Sequence, residues 1–189
     1  IRRSGGIVAW FWSGRLPSPD GEAFARALQD HRFRSIEDAA SEEVSVGWVT
    51  PADPTGDSFD AADMASGCGT WLRMRVDKKA LPKAWLQIHR DGAEKARGKK
   101  LSGKERRELR DDLMSRLLPR VLPSVRLVDA LLLHERRTVL LFATGKGLCE
   151  SFGKLFFTTF SLPLVQADPY QMAVRAGLSD EAVAAMERL

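Results

Sequence analysis

Eight basic residues, Lys95, Arg97, Lys99, Lys100, Lys104, Arg106, Arg107 and Arg110, lie within sixteen positions of the 189-residue chain, and Glu105 and Glu108 are the only acids among them. Arg116 and Arg120 continue the series. Guanidinium and ammonium groups arrayed along one element do one kind of chemistry well. They neutralise and hydrogen-bond backbone phosphates, releasing counterions, without reading base edges. At about 3.6 residues per turn, Arg106, Arg110 and, one step round, Arg107 are expected to point away from the apolar stripe Leu109, Leu113 and Leu117. Arg73 and Arg75, on the polar face of a strand, add two further candidates, so the phosphate-contacting set is Arg73, Arg75, Lys99, Lys100, Lys104, Arg106, Arg107, Arg110 and Arg120.

Other chemistries have weaker material. Metal-dependent phosphodiester hydrolysis needs clustered carboxylates. The dense acidic set is Glu37, Asp38, Glu42, Glu43, Asp53, Asp57, Asp60 and Asp63, within a stretch from Ser35 to Leu72 that holds no Lys or Arg to clamp a phosphate. The three histidines, His31, His89 and His134, have no Cys or carboxylate at metal-ligand spacing, and His89 and His134 read as surface residues. Cys149 sits among Leu148 and Phe152 and reads as a buried, inert thiol. Gly145-Lys146-Gly147 to Gly153-Lys154-Leu155 imitates a phosphate loop, but its glycines are one residue too far apart and Leu155 cannot supply the metal-binding hydroxyl. The five tryptophans, Trp10, Trp12, Trp48, Trp71 and Trp85, are assigned to core packing rather than base stacking. No catalytic residue, metal site or cofactor is assigned.

Composition sets the frame. With 44% apolar and 29% charged residues the chain is an ordinary globular mixture, so wholesale disorder is excluded. No apolar run approaches the roughly 20 residues a helical membrane span needs. Two cysteines, Cys68 and Cys149, make no disulfide framework, and a reducing cytoplasm is the expected compartment. The net charge of +4 hides a strong asymmetry: the segment Ser35–Leu72 carries eight acids and no Lys or Arg, whereas Arg73–Arg137 carries 19 basic and 9 acidic residues. A surface this basic in one region favours polyanions.

The elements that must position these residues follow from hydrophobic period and punctuation. Ile7–Leu16 reads as a central strand, Ser18-Pro19-Asp20 as the start of a short helix with Phe24 and Leu28 inward, and Val44–Trp48 as a strand. Ala52–Gly69 reads as a loop. Leu72, Met74 and Val76 alternate with Arg73, Arg75 and Asp77 as an amphipathic strand. On a first basic helix, Leu81, Trp85 and Ile88 form a narrow apolar stripe, and that stripe fades beyond Ile88. Ser102 and Glu105 make a capping box opening a second helix that Pro119 closes. Gly98 breaks the pair, so the two helices fold back as a hairpin. Val125–Leu133 and Thr138–Ala143 read as a β-hairpin. A helix with Leu148, Phe152, Leu155 and Phe156 on one face follows, then a strand over Leu162–Val165 and two short helices starting at Asp168 and Ser179. The expected fold is α+β, with mostly antiparallel sheets, packed helices and a projecting basic helical hairpin. Residues 1–80 and 121–168 form a discontinuous central domain, 81–120 the hairpin tip and 169–189 the short C-terminal helices.

Several segments in order, Gly47-Trp48-Val49-Thr50-Pro51, Lys79-Ala80-Leu81-Pro82, Leu117-Leu118-Pro119-Arg120 and Ser161-Leu162-Pro163-Leu164, together with the basic helices between them, resemble the bacterial recombination-associated RdgC family. The resemblance implies a nucleoid DNA-binding protein. Members form ring-like dimers that encircle duplex DNA without sequence preference and restrain RecA-driven strand exchange. It also implies that the hairpin tip is where two subunits meet, with Leu117, Leu118, Val121 and Leu122 in the apolar contact. The family carries an exonuclease label that these residues do not support. Members have a further C-terminal portion beyond the position equivalent to Leu189, so the chain is expected to be a fragment or a shortened relative.

The sequence thus points to a cytoplasmic, nucleoid-associated, sequence-independent duplex-DNA-binding protein that modulates recombination as a homodimer, with double-stranded DNA and the RecA filament as partners and no membrane. Two rivals stand beside it. One is a protein-interaction module that keeps the helical tip for pairing without DNA; the other is a metal-dependent nuclease using Asp53 and Asp57.

Overall fold

A computed structural model describes residues 6–56 and 58–178. In chain order the elements are β1 (Val8–Trp12), α1 (Glu22–Asp30), β2 (Val44–Val49), α2 (Ala61–Met64), β3 (Ala65–Ser66), β4 (Gly69–Lys78), α3 (Lys83–Arg97), α4 (Gly103–Leu117), a 3-10 turn (Leu118–Arg120), β5 (Ser124–Leu133), β6 (Thr138–Leu141), α5 (Lys146–Phe160), β7 (Leu164–Gln166) and α6 (Pro169–Arg175). Seven strands form one sheet in the order β2-β4-β5-β6-β1-β7, with β3 paired to β4. The fold is α+β with an antiparallel sheet, as the strand and helix periods require. β1 is paired on both edges, by β6 and β7, and is covered on both faces, with Phe152 stacked on Trp10 and the Arg175 guanidinium over Phe11. The β5–β6 hairpin pairs Leu133 with Thr138 and Ala130 with Leu141.

The chain divides into two compact units. The first comprises residues 1–33, 47–75 and 127–189, and the second residues 34–46 and 76–126. In the first unit the core is aromatic. Phe152 on α5 is fully buried, stacked on Trp10 at 5.6 Å between centroids and edge-on to Trp48 at 5.7 Å. Phe24 of α1 stacks on Phe160 at 5.2 Å. The Trp48 indole N–H donates to Thr159 Oγ1 at 2.7 Å, so a fully buried tryptophan leaves no polar atom orphaned. Gly69 is demanded by close approach. A Cβ there would lie 2.1 Å from the Leu132 carbonyl oxygen on the neighbouring strand.

The second unit holds the helical pair. Asp77 and Lys79 are both fully buried there, and Lys79 Nζ donates to the carbonyls of Glu37 (2.8 Å) and Ala39 (2.9 Å). The same residue's backbone N–H donates to Glu43 at 2.8 Å, so Lys79 binds the 36–43 segment to the end of β4. A buried ammonium is tolerated only with such partners.

Three local expectations are corrected. Ser18 is no helix cap: it closes a turn by accepting from the Gly21 N–H, and α1 starts at Glu22 behind Gly21. The 52–69 segment is not wholly loop, because α2 and β3 occupy part of it. Trp85 and Ile88 are not a packed stripe. They are 54% and 60% exposed, because α3 turns the opposite side, carrying Leu86, toward α4. α3 runs to Arg97 and ends at the expected break, where Gly98 caps it at φ 67. The helix expected from Ser179 lies outside the described residues.

Candidate nucleic-acid interface

α4 begins as its sequence demands. Ser102 Oγ accepts from the Glu105 N–H at 3.3 Å, and Glu105 Oε2 accepts from the Ser102 N–H at 2.8 Å, so both halves of the capping box are made. Glu105 also pairs with Arg97 across the interhelical turn. The Leu101 N–H donates to Glu94 at 3.1 Å, a second tie across that turn. These bonds fix the segment that carries Lys99, Lys100 and Lys104. The Ser102 backbone N–H, then its hydroxyl, and more weakly Arg97, hold the Glu105 carboxyl at about 2. Its pKa lies below the unfolded value of 4.5, so the cap is fully present above about pH 4.5 and lost as pH falls through about 2. A carboxyl NMR titration is expected to place the Glu105 midpoint near 2, and a Ser102→Ala change to return it toward 4.5.

The predicted phosphate contacts separate into two groups. Arg73 and Arg75 sit in the first unit and are engaged there. Arg73 Nε donates to Asp129 at 2.5 Å and its Nη1 to the Pro51 carbonyl at 2.6 Å, with the side chain only 16% exposed. Arg75 Nη1 donates to the Pro54 carbonyl at 3.2 Å, and its guanidinium lies 4.2 Å above the Phe33 ring. Both side chains lash the 51–54 loop to β4, so the polar face of that strand is closed rather than open.

The second unit carries the others. Lys99, Lys100, Lys104, Arg106, Arg107, Arg110 and Arg120 are all exposed. Lys104 stands 3.8 Å from Glu108, a solvent-screened pair of little strength. Among the described residues the side chains of Lys99, Lys100, Arg106, Arg107, Arg110 and Arg120 have no hydrogen bond or ion pair. Of the nearby acids, Asp112 takes Arg116 at 3.1 Å, Glu105 and Glu94 hold the turn, and exposed Asp111 pairs with none of these cations.

One expectation about their direction is overturned. Arg106 and Arg110 do not point away from the leucine stripe of α4. They line a cleft with Leu109 and Leu113, together with Lys83, Leu86, Gln87 and Arg90 of α3. Spacings of three and seven residues put Arg106 on the same helix face as Leu109 and Leu113, and Arg110 on that of Leu113. Only Arg107, one position round, is free of the cleft. Lys83 and Arg90, to which no sequence pattern assigns a role, occupy the cleft's α3 wall.

Of the expected apolar tip contact, Leu118 is 3% exposed and packed internally, Leu117 and Val121 are half-buried, and Leu122 is 75% exposed. The tryptophans follow the core assignment at Trp10, Trp12 and Trp48. Trp71 is half-buried against Phe142, and Trp85 stacks on His89 in the open. His134 is not a simple surface residue. Its Nε2 is 2.9 Å from Thr70 Oγ1, and burial pushes its imidazole below the usual value. Both cysteines are free, and burial pushes the Cys149 thiol up, away from reactivity. Gly153 lies inside α5, so the glycine-lysine segment forms no phosphate loop. In the acidic stretch, Asp53 accepts from the Thr55 hydroxyl and N–H, which holds its carboxyl below the ordinary range. Among the described residues no three His, Cys, Asp or Glu side chains gather as a metal site, and no helix is long and apolar enough to cross a membrane.

The family model described as "Putative exonuclease, RdgC" matches residues 12–179. The chain belongs to the RdgC family. The match runs from the end of β1 past α6 and includes the whole basic helical pair. No curated protein matches this RdgC-family chain.

Proposed function

We propose that this RdgC-family chain binds duplex DNA without sequence preference, as a homodimer, and modulates homologous recombination by restraining RecA-driven strand exchange. The observation that carries the reading is the set of exposed cations on the helical pair, Lys99, Lys100, Lys104, Arg106, Arg107 and Arg110, nearly free of internal carboxylate partners. Unpaired surface cations at this density neutralise phosphates, and neutralisation is blind to sequence. Arg120 extends the set; Arg73 and Arg75 are left out because Asp129, Pro51, Pro54 and Phe33 already engage them. The pairing contact is placed on Leu122, flanked by Val121 and Val125. The chemistry needs no cofactor. A cytoplasmic, nucleoid-associated location accords with such a ligand.

Fluorescence anisotropy with three duplexes of unrelated sequence tests the reading. Dissociation constants within about threefold of one another are expected, with the protein dimeric by sedimentation. Dimers that bind no duplex would instead favour the interaction-module reading, for which exposed Leu122 is the supporting observation.

A further inference from the structure

The cleft between α3 and α4 has a volume of about 290 Å³ and is walled by four cations, Lys83, Arg90, Arg106 and Arg110, with no carboxylate in its lining. Leu86, Leu109 and Leu113 make its floor. Like charges drawn together over an apolar surface repel one another. Arg90 makes the cost visible. Its Nε is buried and has no hydrogen-bond partner, the one such side-chain atom among the described residues. The nearest carboxylate oxygen, on the adjacent Asp91, is 3.8 Å away, beyond hydrogen-bond reach. The rest of the side chain is 38% exposed and makes no hydrogen bond, so the outer guanidinium nitrogens are the part of Arg90 that a ligand in the cleft meets.

We propose that this cleft is a seat for one phosphate ester group, with the Arg90, Arg106 and Arg110 guanidiniums and the Lys83 ammonium as its donors. Three guanidiniums and an ammonium converge from two helices, more donors than the two oxygens of a single carboxylate can satisfy. A phosphate offers several oxygens and accepts planar guanidinium forks in pairs. The leucine floor suits the carbon frame of a sugar attached to that phosphate. The DNA-binding reading supplies one source for the group, a backbone phosphate, and the proposal rests on that reading only for that source. Free mononucleotide or inorganic phosphate is the other.

The test follows the Arg90 Nε–H resonance of the full chain by ¹H–¹⁵N NMR at constant ionic strength. Inorganic phosphate, a deoxynucleoside monophosphate, tetraglutamate and a short duplex are titrated against chloride. The expected result is a saturable shift with both phosphate probes and with duplex. Arg90→Gln should then weaken duplex binding about 3- to 10-fold and lower the log–log salt slope by about one. Arg106→Gln, on the opposite wall, should reduce the phosphate shift of Arg90 without abolishing the fold. Duplex binding with no Arg90 shift from any phosphate probe, or a shift from tetraglutamate alone, overturns the seat and leaves the DNA reading standing. A phosphate shift without duplex binding upholds the seat and removes the DNA reading.

Discussion

Replacing Arg106, Arg107 and Arg110 together with alanine is expected to weaken binding to every duplex by about 100-fold at low salt, at roughly 1 kcal/mol for each guanidinium removed. The loss should be uniform across sequences, because phosphate contacts carry no base information. It should also shrink as salt rises, because releasing a counterion into more concentrated salt gains less free energy. The fold gives a clear control. None of the three side chains has an ion pair or hydrogen bond among the described residues, so truncation removes no internal interaction of that kind. Arg106 and Arg110 crowd a cleft with Lys83 and Arg90, so their removal also relieves like-charge repulsion. The melting temperature should therefore hold or rise slightly while binding collapses. A variant that melts early, or that weakens one duplex and spares another, would show that these arginines are structural or that they read bases.

Phe152→Ala is the change expected to cost most in stability. The ring is fully buried and touches Trp10, Trp48 and Phe156, at centroid separations of 5.6, 5.7 and 6.1 Å. Truncation leaves a cavity among large, rigid rings that cannot collapse into it, a change that costs about 3–5 kcal/mol. For a chain of this size that is a fall of about 10 °C in melting temperature. Thermal unfolding followed by near-ultraviolet circular dichroism checks it, because the tryptophans packed around the ring supply the signal. A loss below about 1 kcal/mol would mean that the aromatic cluster packs less tightly than these distances state.

Much of the fold was legible because its signals are local. The Ser102–Glu105 box, Asp168-Pro169 at the start of α6 and the two apolar runs of the β5–β6 hairpin each depend on residues a few positions apart, and each was realised. The errors came where tertiary contacts decide. The spacing of Leu81, Trp85 and Ile88 suggests one helical face, but Leu81 precedes α3 and is buried, whereas Trp85 and Ile88 stay exposed because α3 packs through Leu86 instead. Arg73 and Arg75 alternate correctly with buried residues, yet the 51–54 loop folds onto them through Pro51 and Pro54 carbonyls, which no local pattern announces. For Arg106 and Arg110 the information was present. Spacings of three and seven residues to the leucines place them on the leucine side of α4, in the cleft rather than on a ridge opposite it. Arg90 was missed because its neighbours Asp91 and Glu94 make its own stretch of α3 look neutral.

The most direct test of the central claim is the salt dependence of duplex affinity. The logarithm of the association constant for an arbitrary duplex should fall linearly with the logarithm of salt concentration. Six neutralised phosphates would give a slope of about −5, equivalent to an affinity loss of about 10³ between 50 and 200 mM. A flat salt dependence, or no binding at 50 mM, would contradict the account.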